Sequence, residues 1–208
     1  MNIAQNSLDE FLERLASAAP TPGGGSAAAI MGAMGAALVS MVCNVSIGKK
    51  GCEAVEPELL AIRAESEACR SRLNAMIAED VAAFDGLMAA YKLPKASDED
   101  KARRSAAIQA SLTRATLVPL DCARACAAVM ALARRAGEHG YVGVVSDAGV
   151  GVLAAYAALR GAALNVFINA PALKDREAAE RYVDEIESLV AAATIENDAV
   201  YSIVRSRV

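Results

Sequence analysis

A long uncharged segment lies near the beginning of the chain, between Arg14 and Lys49. Its part from Ser26 to Gly48 is long enough to span a membrane. However, it consists mostly of Ala, Gly and Ser, with few of the Leu, Ile and Phe residues that favour insertion. Small residues recur along it every four positions, at Ala28, Gly32, Ala36 and Ser40. Such a ridge lets helices approach closely, so we expect a buried helix at the centre of a bundle and no membrane span.

Alanine accounts for much of the apolar composition. It supplies 48 of the 208 residues, whereas aromatic residues make up 4% and tryptophan is absent. Alanine is the best intrinsic helix former, and the β-branched and aromatic residues that strands prefer are comparatively few. We therefore expect an all-α protein with one domain over residues 1–208. The composition argues against a β-sandwich, a disordered chain and a disulfide scaffold.

The charge and the cysteine content indicate which classes of partner and which cellular compartment suit this chain. The chain has 21 Lys and Arg against 25 Asp and Glu, a net charge of −4 that argues against nucleic-acid or anionic-membrane partners. Its five cysteines form no Cys-x-x-Cys pair, and with a single histidine the chain has few candidate ligands for a zinc site. Free thiols suit a reducing cytosol, and the N-terminal residues lack the pattern of a signal peptide. We expect a cytoplasmic protein.

Caps and helix breakers divide the chain into six expected helices. Ser7 and Glu10 form a capping box, Pro57 suits a first helical turn, and Gly48 suits a helix end. Pro119 is expected to kink or split the helix that contains it. The expected helices are Ser7–Ala18, Ser26–Ile47, Pro57–Tyr91, Ser97–Ala136, Asp147–Val166 and one from the Asp175 cap to the C-terminus.

Two of these helices, Ser26–Ile47 and Asp147–Val166, are apolar enough to lie at the centre of the bundle. Four other helices offer little surface to cover two such helices in so small a chain. Incomplete coverage predicts a homo-oligomer whose interface completes the core.

Asp80 is the most informative candidate residue, because it interrupts an apolar stripe at helical spacing. The stripe is formed by Cys69, Leu73, Met76, Phe84, Leu87 and Tyr91. An ionised carboxylate that faces a core without a partner costs several kcal/mol. Asp80 is therefore either satisfied by a helix end or an arginine, or it is functional.

Three further features have both a structural and a functional interpretation. The segment Pro22, Gly23, Gly24, Gly25 and Ser26 opens a helix, where free N–H groups can bind an anion or a polar ring edge. Lys49 and Lys50 either complement the negative end of the same helix or attract an anionic substrate. Asp147, the one acid between Glu138 and Asp175, either caps the apolar helix that follows it or lines a site.

The ordered set of these segments resembles the family of methenyltetrahydrofolate cyclohydrolases and cyclodeaminases, which includes the cyclodeaminase half of formiminotransferase-cyclodeaminase. The order and spacing of the motifs hold over nearly the whole chain, which looks most like the single-domain bacterial cyclohydrolases. The matching stretches are Ala19–Ser26, the GAMGAAL motif that ends at Leu38, Gly48–Lys50, Asp80–Phe84, Leu93–Lys95, Val118–Leu120, Ser146–Asp147 and Asn165–Asn169.

The resemblance implies an all-helical homodimer that binds a reduced folate in a cleft, without a metal or redox cofactor. The family's catalytic aspartate falls on Asp80, which would act as general base in the hydrolysis of 5,10-methenyltetrahydrofolate to 10-formyltetrahydrofolate. The lysine pair would orient the water or hold an anionic part of the folate, and the glycine segment would bind through its N–H groups. Asp147 and Asn165 are expected to line the site.

Two other functions remain open on sequence alone. A cyclodeaminase would use the same site on 5-formiminotetrahydrofolate and release ammonia. A non-catalytic helical scaffold would show no turnover, and it gives no reason for an acid in an apolar stripe.

Overall fold

The computed structural model describes residues 7–208, which form helices and turns without a β-strand. Residues 1–6, the first part of the segment judged not to be a signal peptide, lie outside the described residues. The predicted all-α bundle of six helices is confirmed. The helices are α1 (Leu8–Leu15), α2 (Gly24–Ser46), α3 (Glu56–Tyr91), α4 (Asp98–His139), α5 (Val145–Asn169) and α6 (Arg176–Arg205), with short 3-10 turns at Glu53–Val55, Val142–Val144 and Ala170–Ala172.

Side-chain caps begin three of the helices as the sequence predicts. The Ser7 hydroxyl accepts a hydrogen bond from the backbone N–H of Glu10 at 3.2 Å. Ser97 accepts one from Asp100 in a reciprocal capping box, and Asp175 caps the start of α6. These bonds satisfy N–H groups that have no acceptor within the first turn. At the end of α2, Gly48 adopts a φ of 75°, the left-handed conformation that terminates helices.

Several helix boundaries differ from the prediction by two or more residues, among them the end of α5 at Asn169 rather than Val166. α1 ends at Leu15 rather than Ala18, and α2 already begins at Gly24. α4 continues through Pro119 to His139, because the proline is buried within a long helix whose packing on both sides outweighs the missing N–H. α5 begins at Val145 after a 3-10 turn, so Asp147 lies in the first turn and is not the cap.

α2 and α5 pack against each other in the bundle, and each leaves part of its apolar surface exposed on an outer face. They pack directly where Gly35 meets Gly151, since a Cβ built on Gly35 would lie 2.8 Å from the Gly151 carbonyl oxygen. α2 also packs on α3 and α4, and α6 covers α4 and α5. The small residues at Ala28, Gly32, Ala36 and Ser40 are all buried, which confirms the predicted ridge.

Three helical segments are long and apolar enough to cross a membrane by length and composition: Gly24–Ser46, Asp98–His139 and Val142–Ala172. In the folded chain, 44–61% of their most apolar windows is already buried against other helices. All five cysteines are free thiols, four of them buried and Cys69 half-buried. Burial raises the pKa of the Cys43 thiol to about 11. About half of each apolar window is therefore packed in the interior of the bundle.

Candidate active site

A cavity lies beyond the N-terminal end of α2, because the surrounding helices extend further than α2 does. α5 passes α2 where Gly161 faces Ala28 and then continues to Asn169. The second half of α3 and the middle of α4 enclose the same space. The cavity has a volume of about 270 Å3 and is lined by Asp80, Ala83, Phe84, Leu87, Ala115, Val118, Asn165, Ile168 and Asn169.

Asp80 is the one acidic side chain in this lining, and it is half-buried. The Ser26 hydroxyl donates a hydrogen bond to its Oδ2 at 2.7 Å. Burial raises the pKa of the Asp80 carboxyl, and the hydroxyl and backbone N–H of Ser26 act in the opposite direction. The structure thus holds a partly desolvated carboxylate at a cavity wall, with one neutral residue as its partner.

The glycine segment forms the first turn of α2 beside this carboxylate. Gly23 is the N-cap, and its carbonyl accepts the N–H of Ala27 as the first helical bond. The N–H groups of Gly24 and Gly25 have no acceptor within the helix, and they lie at its positive end. Pro22, just before them, is buried. The first turn therefore presents N–H groups at the positive end of α2, and the side chain of Ser26 is bonded to Asp80.

Two asparagines on one face of α5 complete the polar part of the wall. Asn165 donates its amide N–H to the Gly161 carbonyl at 3.0 Å, and Asn169 donates to the Ala115 carbonyl at 2.8 Å. Because the donors bind the backbone, the amide oxygens remain available as acceptors. Asn169 and the half-buried ring of Phe84 were not among the predicted site residues. The four-residue spacing of Asn165 and Asn169 is the signal that could have identified the pair.

Three predicted site residues lie at the other end of the bundle within this chain. α2 rises about 30 Å between Ser26 and Ser46, and Lys49 and Lys50 follow its end. Lys49 lies over the ring of Tyr141, with Nζ 5.7 Å from the ring centre. Asp147 is separated from Asn165 by about 27 Å of α5. One chain therefore does not bring these residues to Asp80.

A second cleft is less suited to acid–base chemistry. A cleft of about 210 Å3 between the start of α5 and the end of α6 is mainly apolar and contains Arg205 but no acidic side chain. Among residues 7–208, no group of three or more His, Cys, Asp and Glu side chains is arranged to hold a metal ion. The cavity at Asp80 remains the strongest candidate site.

Comparisons with known proteins agree on one family. The chain is 55% identical to the methenyltetrahydrofolate cyclohydrolase of Methylorubrum extorquens over 201 residues, which cover 97% of each protein. It is 33% identical over 186 residues to the formimidoyltransferase-cyclodeaminase of Sus scrofa and 30% identical over 187 residues to that of Rattus norvegicus. These matches cover 89% and 90% of the chain but only 34% and 35% of the mammalian proteins.

A solved structure and a family model extend this relationship to the fold. The crystal structure of formiminotetrahydrofolate cyclodeaminase from Thermotoga maritima superposes with a TM-score of 0.81 at 29% identity, covering 99% of this chain and 96% of that one. The family model described as formiminotransferase-cyclodeaminase matches residues 7–188. The chain therefore belongs to the formiminotransferase-cyclodeaminase family.

Proposed function

We propose that this protein is a methenyltetrahydrofolate cyclohydrolase, which hydrolyses 5,10-methenyltetrahydrofolate to 10-formyltetrahydrofolate. The observation that carries the proposal is the half-buried carboxylate of Asp80 in a cavity at the N-terminal end of α2. The 55% identity to the Methylorubrum extorquens cyclohydrolase, over nearly the full length of both chains, supports this reaction over others of the family.

The chemistry of the substrate explains what the carboxylate does. The bridge carbon between N5 and N10 belongs to an amidinium-like cation, which is already electrophilic. Ionised Asp80 stabilises this cation and accepts a proton from the water that attacks the bridge carbon. It then donates that proton to N5 as the C–N5 bond breaks, and loss of the remaining hydroxyl proton gives the N10-formyl product. A carboxyl with a raised pKa suits both steps.

The remaining lining fits the reacting rings. We propose that the N–H groups of Gly24 and Gly25, at the start of α2 beside Asp80, bind the oxygen that becomes the formyl carbonyl. The amide oxygens of Asn165 and Asn169 can accept from the N–H groups of the pterin, and Phe84 offers an apolar ring face. A cavity of about 270 Å3 accommodates the ring system, so the glutamyl tail of the folate extends out of it.

A cyclodeaminase is the second candidate, and a specific observation favours it. The solved structure that covers 99% of this chain is a formiminotetrahydrofolate cyclodeaminase. The same carboxylate could serve a 5-formimino substrate: N10 attacks the formimino carbon, the N10 proton passes to the former imino nitrogen, and ammonia leaves as the methenyl bridge closes. Ammonia release distinguishes this reaction from the hydrolysis.

We also propose that the protein is a homodimer formed through the outer faces of α2 and α5. α2 carries no charged side chain, and Met34 and Met41 are exposed on it. Val150, Leu153 and Leu164 are exposed on the adjoining α5. An apolar surface on two neighbouring central helices is typical of a covered interface. A second copy of this chain would cover the apolar surface of these two helices, in agreement with the homo-oligomer that the sequence predicts.

An antiparallel two-fold arrangement of α2 would also explain the distant site residues. A two-fold axis across the middle of α2, near Met34, places the end of one α2 beside the start of its partner's. Lys49 and Lys50 of one subunit would then approach the Asp80 cavity of the other, together with the end of the bundle that carries Asp147. We propose that Lys49 acts across this interface, holding an anionic part of the folate or orienting the water.

We propose a soluble, cytoplasmic location. The net charge of −4, the five free thiols and the bacterial cyclohydrolase relative support it. The apolar helices are accounted for by burial in the bundle and by the proposed interface.

An absorbance time course tests the reaction. The conjugated bridge of 5,10-methenyltetrahydrofolate absorbs in the near ultraviolet, and the formyl product does not. We expect rapid loss of absorbance with the wild-type protein and a fall of at least about 100-fold in kcat for Asp80→Asn. Asp85→Asn, which removes an exposed acid from the same helix, is the matched control and should keep full activity.

The outcomes separate the alternatives. Near-normal activity of Asp80→Asn would refute the assignment of the catalytic base. No turnover by the wild-type protein, followed by ammonia release from 5-formiminotetrahydrofolate, would identify a cyclodeaminase. Inactivity on both substrates would leave a shared fold without either reaction.

A further inference from the structure

The side chain of Ser26 interacts with Asp80. It does not cap the helix, so this interaction is not needed to begin α2. Gly23 occupies the N-cap position and makes no side-chain bond, so Ser26 lies in the third position of α2. Its hydroxyl is fully buried and donates to Oδ2 of Asp80 across the junction of α2 and α3, at 2.7 Å. A hydroxyl bound to a carboxylate favours its ionised form and restricts its rotation.

Gly25 limits the carboxylate on a second side. A Cβ built on Gly25 would overlap Oδ1 of Asp80 and lie 2.7 Å from its Cγ. The first turn of α2 thus bonds one carboxylate oxygen, and the other occupies the space that a side chain at position 25 would fill. The carboxylate retains its exposure to the cavity, because Asp80 is one of the lining residues.

We propose that Ser26 is a positioning residue for the reaction: its hydroxyl anchors Oδ2 of Asp80, so that the carboxylate is held ionised and correctly directed toward substrate in the cavity. The inference rests on the proposed function for its kinetic consequence, but the hydrogen bond can be tested without any substrate. It differs from the sequence-based expectation, in which Ser26 meets the folate through its backbone.

A purely structural role is the competing interpretation, and α2 provides a matched control for it. Ser40 is also buried on α2, and its hydroxyl forms a 2.7 Å hydrogen bond with the Ser66 hydroxyl of α3. About 21 Å of helix separates Ser40 from Ser26. Ser40→Ala therefore removes an equivalent buried contact between the same two helices without reaching Asp80.

The experiment combines a titration with kinetics. The Asp80 carboxyl is followed by 13C NMR against pH in wild type, Ser26→Ala and Ser40→Ala, with Asp80→Asn to assign its signal. The pH dependence of kcat for 5,10-methenyltetrahydrofolate is measured on the same proteins. Losing the hydroxyl should raise the pKa of Asp80, move the acidic limb of kcat to higher pH, and lower kcat about 10- to 100-fold.

We expect Ser40→Ala to match wild type in both measurements, and Ser26→Thr, which restores a hydroxyl, to recover the acidic limb. An unchanged pKa of Asp80 in Ser26→Ala would overturn the proposal. So would a lower kcat without a displaced pH profile, since that is the signature of a structural defect. If the wild-type protein does not turn over the folate, the proposed function fails, and the NMR titration alone decides whether Ser26 holds Asp80 ionised.

Discussion

Gly25 and Asp80 are in contact at the start of α2, so closely that a Cβ on Gly25 would overlap the carboxylate. The overlap is with Oδ1 and Cγ of a carboxylate whose other oxygen is bonded to Ser26. A glycine at this position is therefore required by the close approach of two helices and not by its backbone conformation. The carboxylate cannot stay in place if any other residue occupies position 25.

Gly25→Ala should accordingly remove activity while the bundle stays folded. The added methyl group displaces the Asp80 carboxylate, and a shift of about 1 Å in a catalytic group costs on the order of 100-fold in rate. We expect kcat to fall by at least about that factor, with the helical circular dichroism retained.

Gly86→Ala is the control for this prediction. Gly86 lies on the same helix as Asp80, and a Cβ built there meets nothing within 4 Å. This variant should keep full activity and gain about 0.5–1 kcal/mol in the free energy of unfolding, because glycine is unfavourable inside a helix. Full activity in Gly25→Ala would show that the reaction does not depend on Asp80 where the structure places it.

Asp80→Asn should stabilise the fold at neutral pH. Burial raises the pKa of Asp80 in the folded state. A group with a raised folded pKa contributes stability that is complete below its unfolded pKa and is lost as the pH rises through the folded pKa. Where Asp80 is ionised, that contribution is gone, and an uncharged isostere avoids the desolvation of a charge.

Thermal unfolding from pH 4 to pH 8 measures this effect. The Tm of Asp80→Asn should exceed that of wild type at pH 8, and the difference should shrink on acidification as Asp80 takes up its proton. A difference that stays constant over this range would contradict a raised pKa. Asp85→Asn, which changes an exposed acid, is the control, and its Tm difference from wild type should not vary in this way with pH.

Much of the fold follows from local patterns. The caps at Ser7, Ser97 and Asp175, and the glycine after α2, determine helix ends by bonds within a few residues. The stripe around Asp80 predicted that the acid faces the interior, and the structure places it half-buried in a cavity. The last stripe residue, Tyr91, is 43% exposed, and the Arg104 guanidinium of α4 lies over its ring.

The remaining differences depend on long-range packing. Pro119 should interrupt a helix by local chemistry, but neighbouring helices hold α4 continuous through it. The partners of Asn169 and Ser26 lie 54 residues away along the chain, so no local pattern indicates them. The resemblance to family motifs suggested three site residues that lie at the other end of the bundle, namely Lys49, Lys50 and Asp147. The order of motifs along a chain does not indicate how far apart they lie in the fold.

The proposed interface predicts the effect of a charge at its centre. Met34 is 56% exposed at the middle of α2, where the two-fold axis would bring it close to its own copy. Met34→Glu would place two like charges together in an apolar contact, so we expect the dimer to dissociate.

Light scattering after size exclusion measures the oligomeric state. Ile195→Glu is the matched control, because Ile195 is an exposed apolar residue on α6 and should leave the dimer intact. A wild-type monomer at micromolar concentration, or a dimer that persists in Met34→Glu, would contradict an interface through this face.

Subunit mixing tests whether Lys49 acts across the interface. Asp80→Asn and Lys49→Ala should each be strongly impaired alone. In a mixed dimer, one site combines the intact Asp80 of the Lys49→Ala subunit with the intact lysine of its partner, and the other site lacks both groups. Random exchange makes half of the dimers mixed, so about one quarter of wild-type activity should return.

Denaturing and refolding equal amounts of the two variants together provides the mixed dimers, and each variant refolded alone provides the baseline. Recovery to about one quarter of the wild-type rate requires that each site draws on two subunits, since no single chain in the mixture carries both groups. If both variants are impaired alone and the mixture stays at the baseline, Lys49 does not act on the partner's cavity. Full activity of Lys49→Ala alone would show that Lys49 has no role in the reaction.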